Sequence, residues 1–221
     1  MYRYFSRISH GGACAFRDAV RTQTRIYAFV LLHVASACAE PDENRFRTAP
    51  GKFFLSVLPD GDTLDVSLHA GSETGTVIVA RRRGAGGVLS ARRYLSFPVT
   101  RAECADITGD GIPELLLGVI KKTRFDRRAR LRLFVYAVHG GVVRPLWLGS
   151  RLGMPLRDFT VLRRNGRTVI ATIERERGGR SAIGIWKWHV FGPRFVAYES
   201  RSITVAAAKR RLLTMKAQES P

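Results

Sequence analysis

At 221 residues, 45% apolar and 25% charged, the chain is long and hydrophobic enough to bury a real core, which excludes a disordered polymer and favours one domain. Its formal net charge of +19 and pI near 11.1 point to anionic partners: nucleic acid, phospholipid head groups or acidic glycans. Only six of the 37 basic residues are lysine, and the arginines are scattered, a pattern that arginine-rich codon usage also produces.

In chain order, Arg21 and Arg25 precede the apolar run Ile26–Val34, and Ala35-Ser36-Ala37-Cys38-Ala39 follows. A basic segment, a nine-residue apolar run and small residues before a cleavage point predict a secretory signal over 1–39, too short to span a bilayer stably. Ala-Ser-Ala before Cys38 is similar to a bacterial lipobox, in which that cysteine is lipidated; ordinary cleavage after Ala37 or Ala39 is the alternative. Residues 1–20 add charge without pattern, so the true start lies at Met1 or as late as Val20. Removing the signal takes five arginines and Asp18 with it, which lowers the charge from +19 to +15. Of the three cysteines, Cys14 leaves with the signal. Cys104 is then a lone buried thiol or the partner of Cys38 in a disulfide.

The region 50–203 divides into three units of about fifty residues: 52–98, 102–148 and 156–200. Each contains four runs rich in Val, Ile, Leu and aromatics, bounded by Gly, Pro, Asn and Asp. Two sets of glycines keep phase. Gly61, Gly111 and Gly166 are 50 and 55 apart, and Gly86, Gly141 and Gly192 are 55 and 51 apart. Asn165-Gly166 is the strongest hairpin signal, because a type I′ turn needs positive φ at both central residues. The pattern predicts an all-β chain of three four-stranded antiparallel meanders at the period of a β-propeller blade. Since closed propellers have four blades or more, the alternatives are an open stack, a ring completed by another chain, or a compact β-sandwich. The remaining 204–221 reads as a basic, solvated C-terminal tail, or else as a helix lying on an anionic membrane.

Within the second unit, Asp106-Ile107-Thr108-Gly109-Asp110-Gly111-Ile112-Pro113-Glu114 places side-chain oxygens at loop positions 1, 3, 5 and 9, with glycine at position 6. Alternate side chains then point inward around a hard cation, and the glycine permits the sharp turn. The stretch resembles the loop of the FG-GAP and VCBS repeats of integrin-like β-propellers, with Thr108 where the motif prefers Asp or Asn. The resemblance implies a structural calcium held by Asp106, Thr108, Asp110, the carbonyl of Ile112 and Glu114, in an adhesion or scaffold module. Asp158-x-Thr160 echoes Asp106-x-Thr108, as though the third unit had kept the hairpin and lost the ion.

Lys121, Lys122, Arg124, Arg127 and Arg128 form the densest basic stretch, read as a loop over 121–129 that suits phosphates or a lipid surface. Trp186 and Trp188 share one strand face and read as core, with stacking on sugars or bases as the alternative. No recognition helix or zinc pattern supports sequence-specific nucleic-acid binding. Nor is there a nucleophile elbow, a zinc-protease helix or a phosphate-binding loop. The sequence therefore predicts an exported, non-catalytic binding or scaffold protein of a bacterial envelope, periplasmic or lipid-anchored, with an envelope protein or glycan as partner. A cytosolic polyanion-binding protein is the second reading, and an enzyme acting on envelope glycans the third.

Overall fold

Alternation of apolar residues with Gly-, Asp- and Asn-rich turns folds most of the described residues into strands. The computed structural model describes residues 51–218 except 72–74, 125, 140 and 150–151. The expected signal over 1–39, its Cys38 and the start of the chain lie outside the described residues. Among the described residues, twelve strands form three sheets, each a meander in sequence order. Sheet 1 contains β1 (Phe53–Val57), β2 (Thr63–Ala70), β3 (Thr76–Gly84) and β4 (Gly87–Leu95). Sheet 2 contains β5 (Val99–Ala105), β6 (Glu114–Thr123), β7 (Asp126–His139) and β8 (Val142–Leu148). Sheet 3 contains β9 (Leu156–Arg164), β10 (Arg167–Arg175), β11 (Ser181–His189) and β12 (Gly192–Ile203). All pairings within them are antiparallel, and no sheet closes into a barrel. The expected type I′ geometry is present at the β9–β10 turn, where Asn165 has φ 50° and Gly166 φ 72°.

Three apolar layers hold the sheets in a row. Leu64, Val66, Leu68 and Ile78 of sheet 1 meet Leu115, Leu117, Val119, Phe134 and Tyr136 of sheet 2. From the opposite face of sheet 2, Leu116, Leu133 and Val135 meet Phe159, Ile170 and Trp186 of sheet 3. Strand β6 is thus buried on both faces, which is why Leu115–Val119 is a continuous apolar run and not an alternating one. Gly118 interrupts the run because a Cβ there would lie 2.8 Å from Arg101 Cβ and 3.2 Å from Phe159 Cε1.

The third layer corrects the expectation of a solvated tail. Residues Val205–Ala217 form a helix, α1, whose Ala208, Leu212 and Met215 pack on Leu162, Ala171, Ile173, Ile183 and Ile185 of sheet 3. Thr204 caps it, its hydroxyl accepting from the Ala207 N–H at 3.2 Å. Burying Leu212 and Met215 is worth roughly 1.5–3 kcal/mol each, more than an exposed basic helix gains from propensity alone. Sheet 1 has no such cover among the described residues. Phe53, Leu55 and Val57 stand exposed on its outer face, alternating with the inward Phe54. No helix among the described residues is long and apolar enough to cross a membrane.

Candidate functional site

The acidic loop joins β5 to β6, and its carboxylates are engaged mainly by the loop's own backbone. Asp106 Oδ1 accepts from the Gly109 N–H at 2.6 Å, and Oδ2 accepts from Gly111 at 2.8 Å. Asp110 Oδ1 accepts from Ile112 at 2.8 Å. Glu114, at the first position of β6 and only 3% exposed, reaches back to accept from the Ile107 and Thr108 N–H groups at 3.0 and 3.3 Å. These are the bonds a nine-residue turn needs, since backbone donors in so tight a loop find no ladder partner. Gly111 is required twice over. Its φ is 84°, and an added Cβ would run into the Pro59 ring of the β1–β2 turn.

For calcium the fit is partial. The Thr108 hydroxyl lies 3.4 Å from both Asp106 Oδ1 and Glu114 Oε1, so three of the expected ligands adjoin one another. Yet among the described residues no three acidic, histidine or cysteine side chains are grouped to hold a metal. Burial, and after it the neighbouring Asp110 and Asp106, push the Glu114 carboxyl up to about 7, against the pull of the backbone donors. The loop therefore carries strained negative charge whose relief is a proton or a cation. Next to it, burial and then the charges of Glu114 and Glu103 push the Cys104 thiol up to about 12, which leaves it a protonated, poor nucleophile.

Asp158 and Thr160 do not repeat this loop. They lie in β9 itself, where Asp158 accepts from its neighbour's N–H and faces Arg101 at 3.6 Å, and the Thr160 hydroxyl donates to Glu103 at 3.2 Å. The echo in sequence is coincidence of strand composition. Nor is 121–129 a loop. The β6 and β7 strands run on through it, pairing Lys121 with Arg130 and Thr123 with Asp126, so the basic residues lie on a two-stranded ribbon that extends beyond β5 and β8. Lys122, Arg124, Arg127 and Arg128 are exposed there. Lys121, exposed as well, lays its Nζ over the Phe97 ring, 4.6 Å from the centroid.

Stacking the sheets also creates what sequence does not announce. A surface depression of about 1390 Å³ wraps the β9–β10 hairpin, bounded by the β5–β6 loop at Asp106–Gly109 on the face that carries Trp188 and by Lys216 of α1 on the other. Trp188 lines it while packing against the second core layer. Trp186 is core, as its spacing predicted, and its Nε1 lies 3.0 Å from both Thr172 Oγ1 and Glu174 Oε1. Glu174 is fully buried and also accepts from the Met154 N–H at 2.8 Å and the Thr172 hydroxyl at 2.7 Å. Glu103 ties three elements, taking Arg101 and Lys216 at 2.8 Å each besides Thr160. A glutamate inside a strand gives no local hint of such roles, because every partner comes from elsewhere in the chain.

The chain matches no protein-family model, and comparison with curated proteins and with solved structures finds no match.

Proposed function

We propose that this protein is an exported, non-catalytic binding or scaffold module of a bacterial envelope, built as three propeller-type blades in an open stack and tethered through a lipidated Cys38. The observation that carries the reading is the serial architecture. Successive meanders stack by repeated faces, and helix α1 covers the last one. Such arrays present extended concave surfaces between repeats, and binding is what these surfaces serve. Calcium belongs to this proposal as structural glue for the β5–β6 loop, with Asp106, Thr108, Asp110, the Ile112 carbonyl and Glu114 as its ligands. The raised Glu114 carboxyl supports it, because a cation would stabilise the charge that burial disfavours.

Fractionation of the native host with intact-mass analysis of the mature N-terminus tests the reading. A diacylglycerol-modified Cys38 in the membrane fraction supports it, and a soluble full-length chain overturns it. A cytosolic polyanion binder is the second reading, favoured by one observation: the ribbon carrying Lys122, Arg124, Arg127 and Arg128 projects past its sheet, the shape that enters a nucleic-acid groove.

A further inference from the structure

We infer that the tip of the β11–β12 hairpin inserts into the surface of an anionic lipid bilayer. His189 pairs with Gly192, so the connection is a two-residue turn, Val190-Phe191. Such hairpin turns need positive φ at their first loop position, which is why glycine, asparagine and aspartate dominate them. The corresponding last hairpins of sheets 1 and 2, turning at 85–86 and 140–141, each hold glycine, and β9–β10 uses Asn165-Gly166. Here the position falls to a β-branched residue, Val190, at φ 38°, a conformation its side chain opposes. Packing within the fold does not offset that strain, because Val190 is 66% exposed and Phe191 88%.

The strands behind the tip break a second folding rule. Lys187 and Arg194 stand directly opposite each other, and neither meets a carboxylate among the described residues. A like-charge pair so placed weakens a hairpin. Both lie three residues behind the tip, about 10 Å at the rise of a strand. An interfacial element buried roughly 5–10 Å brings cations at that distance level with the lipid phosphates. Two indoles occupy the same level. Trp188 pairs with Pro193 and is half-buried against the second apolar layer, and the Trp147 ring stands beside Gly192, 3.0 Å from where a Cβ would be. Tryptophan suits a membrane interface because its body is apolar and its N–H donates a hydrogen bond. Asp106, which borders the Trp188 face, has both oxygens taken by backbone N–H groups. From the tip inward, apolar side chains, indoles and cations match the layers a bilayer presents from hydrocarbon to phosphate. A groove on another protein would also take an apolar tip, but it gives no reason for two uncompensated cations behind it. The inference does not require a lipidated Cys38; it adds to the envelope reading which hairpin meets the membrane.

The test titrates the full chain with vesicles of brominated phosphatidylglycerol or brominated phosphatidylcholine and reads quenching of tryptophan. The three tryptophans lie on β8 and β11, and the apolar run Ile26–Val34 holds none, so quenching reports this end of sheet 3. An added indole in Phe191→Trp should shift to the blue and be quenched by the phosphatidylglycerol vesicles, with several-fold weaker binding to phosphatidylcholine. An indole added by Arg177→Trp, in the β10–β11 turn at the opposite end of the sheet, should stay unquenched. Val190→Asn with Phe191→Gly installs the preferred turn. It should raise Tm by about 2–4 °C and weaken vesicle binding at least tenfold. Lys187→Gln with Arg194→Gln should bring the affinities for the two lipids within twofold of each other. An indole at 191 quenched no more than one at 177 overturns the inference, even when the chain is carried to the vesicles by another segment. So does wild-type quenching in the Val190→Asn, Phe191→Gly variant, and a less stable variant shows that the turn residues serve the fold. Fractionation reads the envelope assignment separately: a chain lipidated at Cys38 whose tip stays in water overturns the insertion alone, and a cytosolic chain whose tip inserts keeps the insertion and removes the address.

Discussion

Glu114 offers the sharpest test of how the β5–β6 loop is held. Its carboxyl is raised in the folded chain from an ordinary 4.5 to about 7, so the folded state binds its proton more tightly than the unfolded state. Stability contributed at this site is therefore greatest below about pH 4.5, falls as pH rises through the interval up to about 7, and is lowest above it. At 1.36 kcal/mol per unit the full cost above pH 7 is about 3 kcal/mol, and with 3% exposure little of it is screened by solvent. Glu114→Gln removes the charge and keeps an oxygen to accept from Ile107 and Thr108, while its amide can donate to the Thr108 hydroxyl. In chelator, urea titrations at pH 8 should find the variant more stable by about 2–3 kcal/mol, or roughly 5–10 °C in Tm, with the difference vanishing near pH 4.5. Subtracting the two pH profiles isolates this group from Glu176 and Glu199. Arginine partners (Arg201 for the first, Arg211 and then Arg164 for the second) hold those carboxyls below the ordinary value, so their stabilisation is lost only at lower pH. Millimolar calcium should flatten the wild-type profile and leave the variant's unchanged. A variant no more stable than wild type at pH 8 refutes the burial argument, and a wild-type profile indifferent to calcium refutes the ligand set.

Three further outcomes follow from the packing. Leu212→Ala, at a 5% exposed position against sheet 3, should cost about 2–4 kcal/mol by denaturant titration, whereas Leu213→Ala, 69% exposed, should stay within about 0.5 kcal/mol; equal small effects would restore the solvated tail. Glu174→Ala should cost about 2–4 kcal/mol, because the Trp186 and Met154 donors lose a buried acceptor, and should red- or blue-shift tryptophan emission as the indole moves. Cys104, its thiol pushed up to about 12, should react with a disulfide reagent at pH 8 far more slowly in the native protein than in urea.

How much of this was legible depended on whether the determining contacts are local. The meanders were, since a hairpin is specified by its own turn residues: Asn165 and Gly166 tolerate the positive φ that a two-residue turn demands and adopt it here, and strands follow on either side. The ribbon over 121–129 was misread because seven cations among Lys121–Arg132 hide the alternation, although backbone pairing continues through Lys121 and Arg130 regardless of side-chain polarity. Helix α1 was only half legible. Ala208, Leu212 and Met215 have helical spacing, but Leu213 and four nearby cations obscure the stripe, and the face that receives it comes from Ile173, Ile183 and Ile185, remote in sequence. The depression could not be read at all. Its walls come from the β5–β6 loop, the strands of sheet 3 and α1, which are remote in sequence, and no residue type encodes the space between them.

The serial arrangement carries a last consequence for the order in which the molecule opens. In a stack where each sheet meets only its neighbours, stability is close to a sum of intrinsic and interface contributions. Among the described residues, sheet 2 is covered by sheets 1 and 3, and sheet 3 by sheet 2 and α1, but sheet 1 is held by one layer and leaves Phe53, Leu55 and Val57 on its other face. Detaching sheet 1 breaks one apolar interface; detaching sheet 2 breaks two. Native-state hydrogen exchange should then show the interior strands β2 and β3 opening at a lower free energy than β6, β7, β10 and β11, in a step that leaves sheets 2 and 3 protected. Comparing interior strands removes the trivial fraying of edges. Leu68→Ala, fully buried in the first layer, should widen the gap by speeding exchange in sheet 1 with little effect on β10 and β11. If all six strands exchange at one free energy the three sheets are a single cooperative unit, and if β10 and β11 open first then α1 is not the cap its buried face makes it.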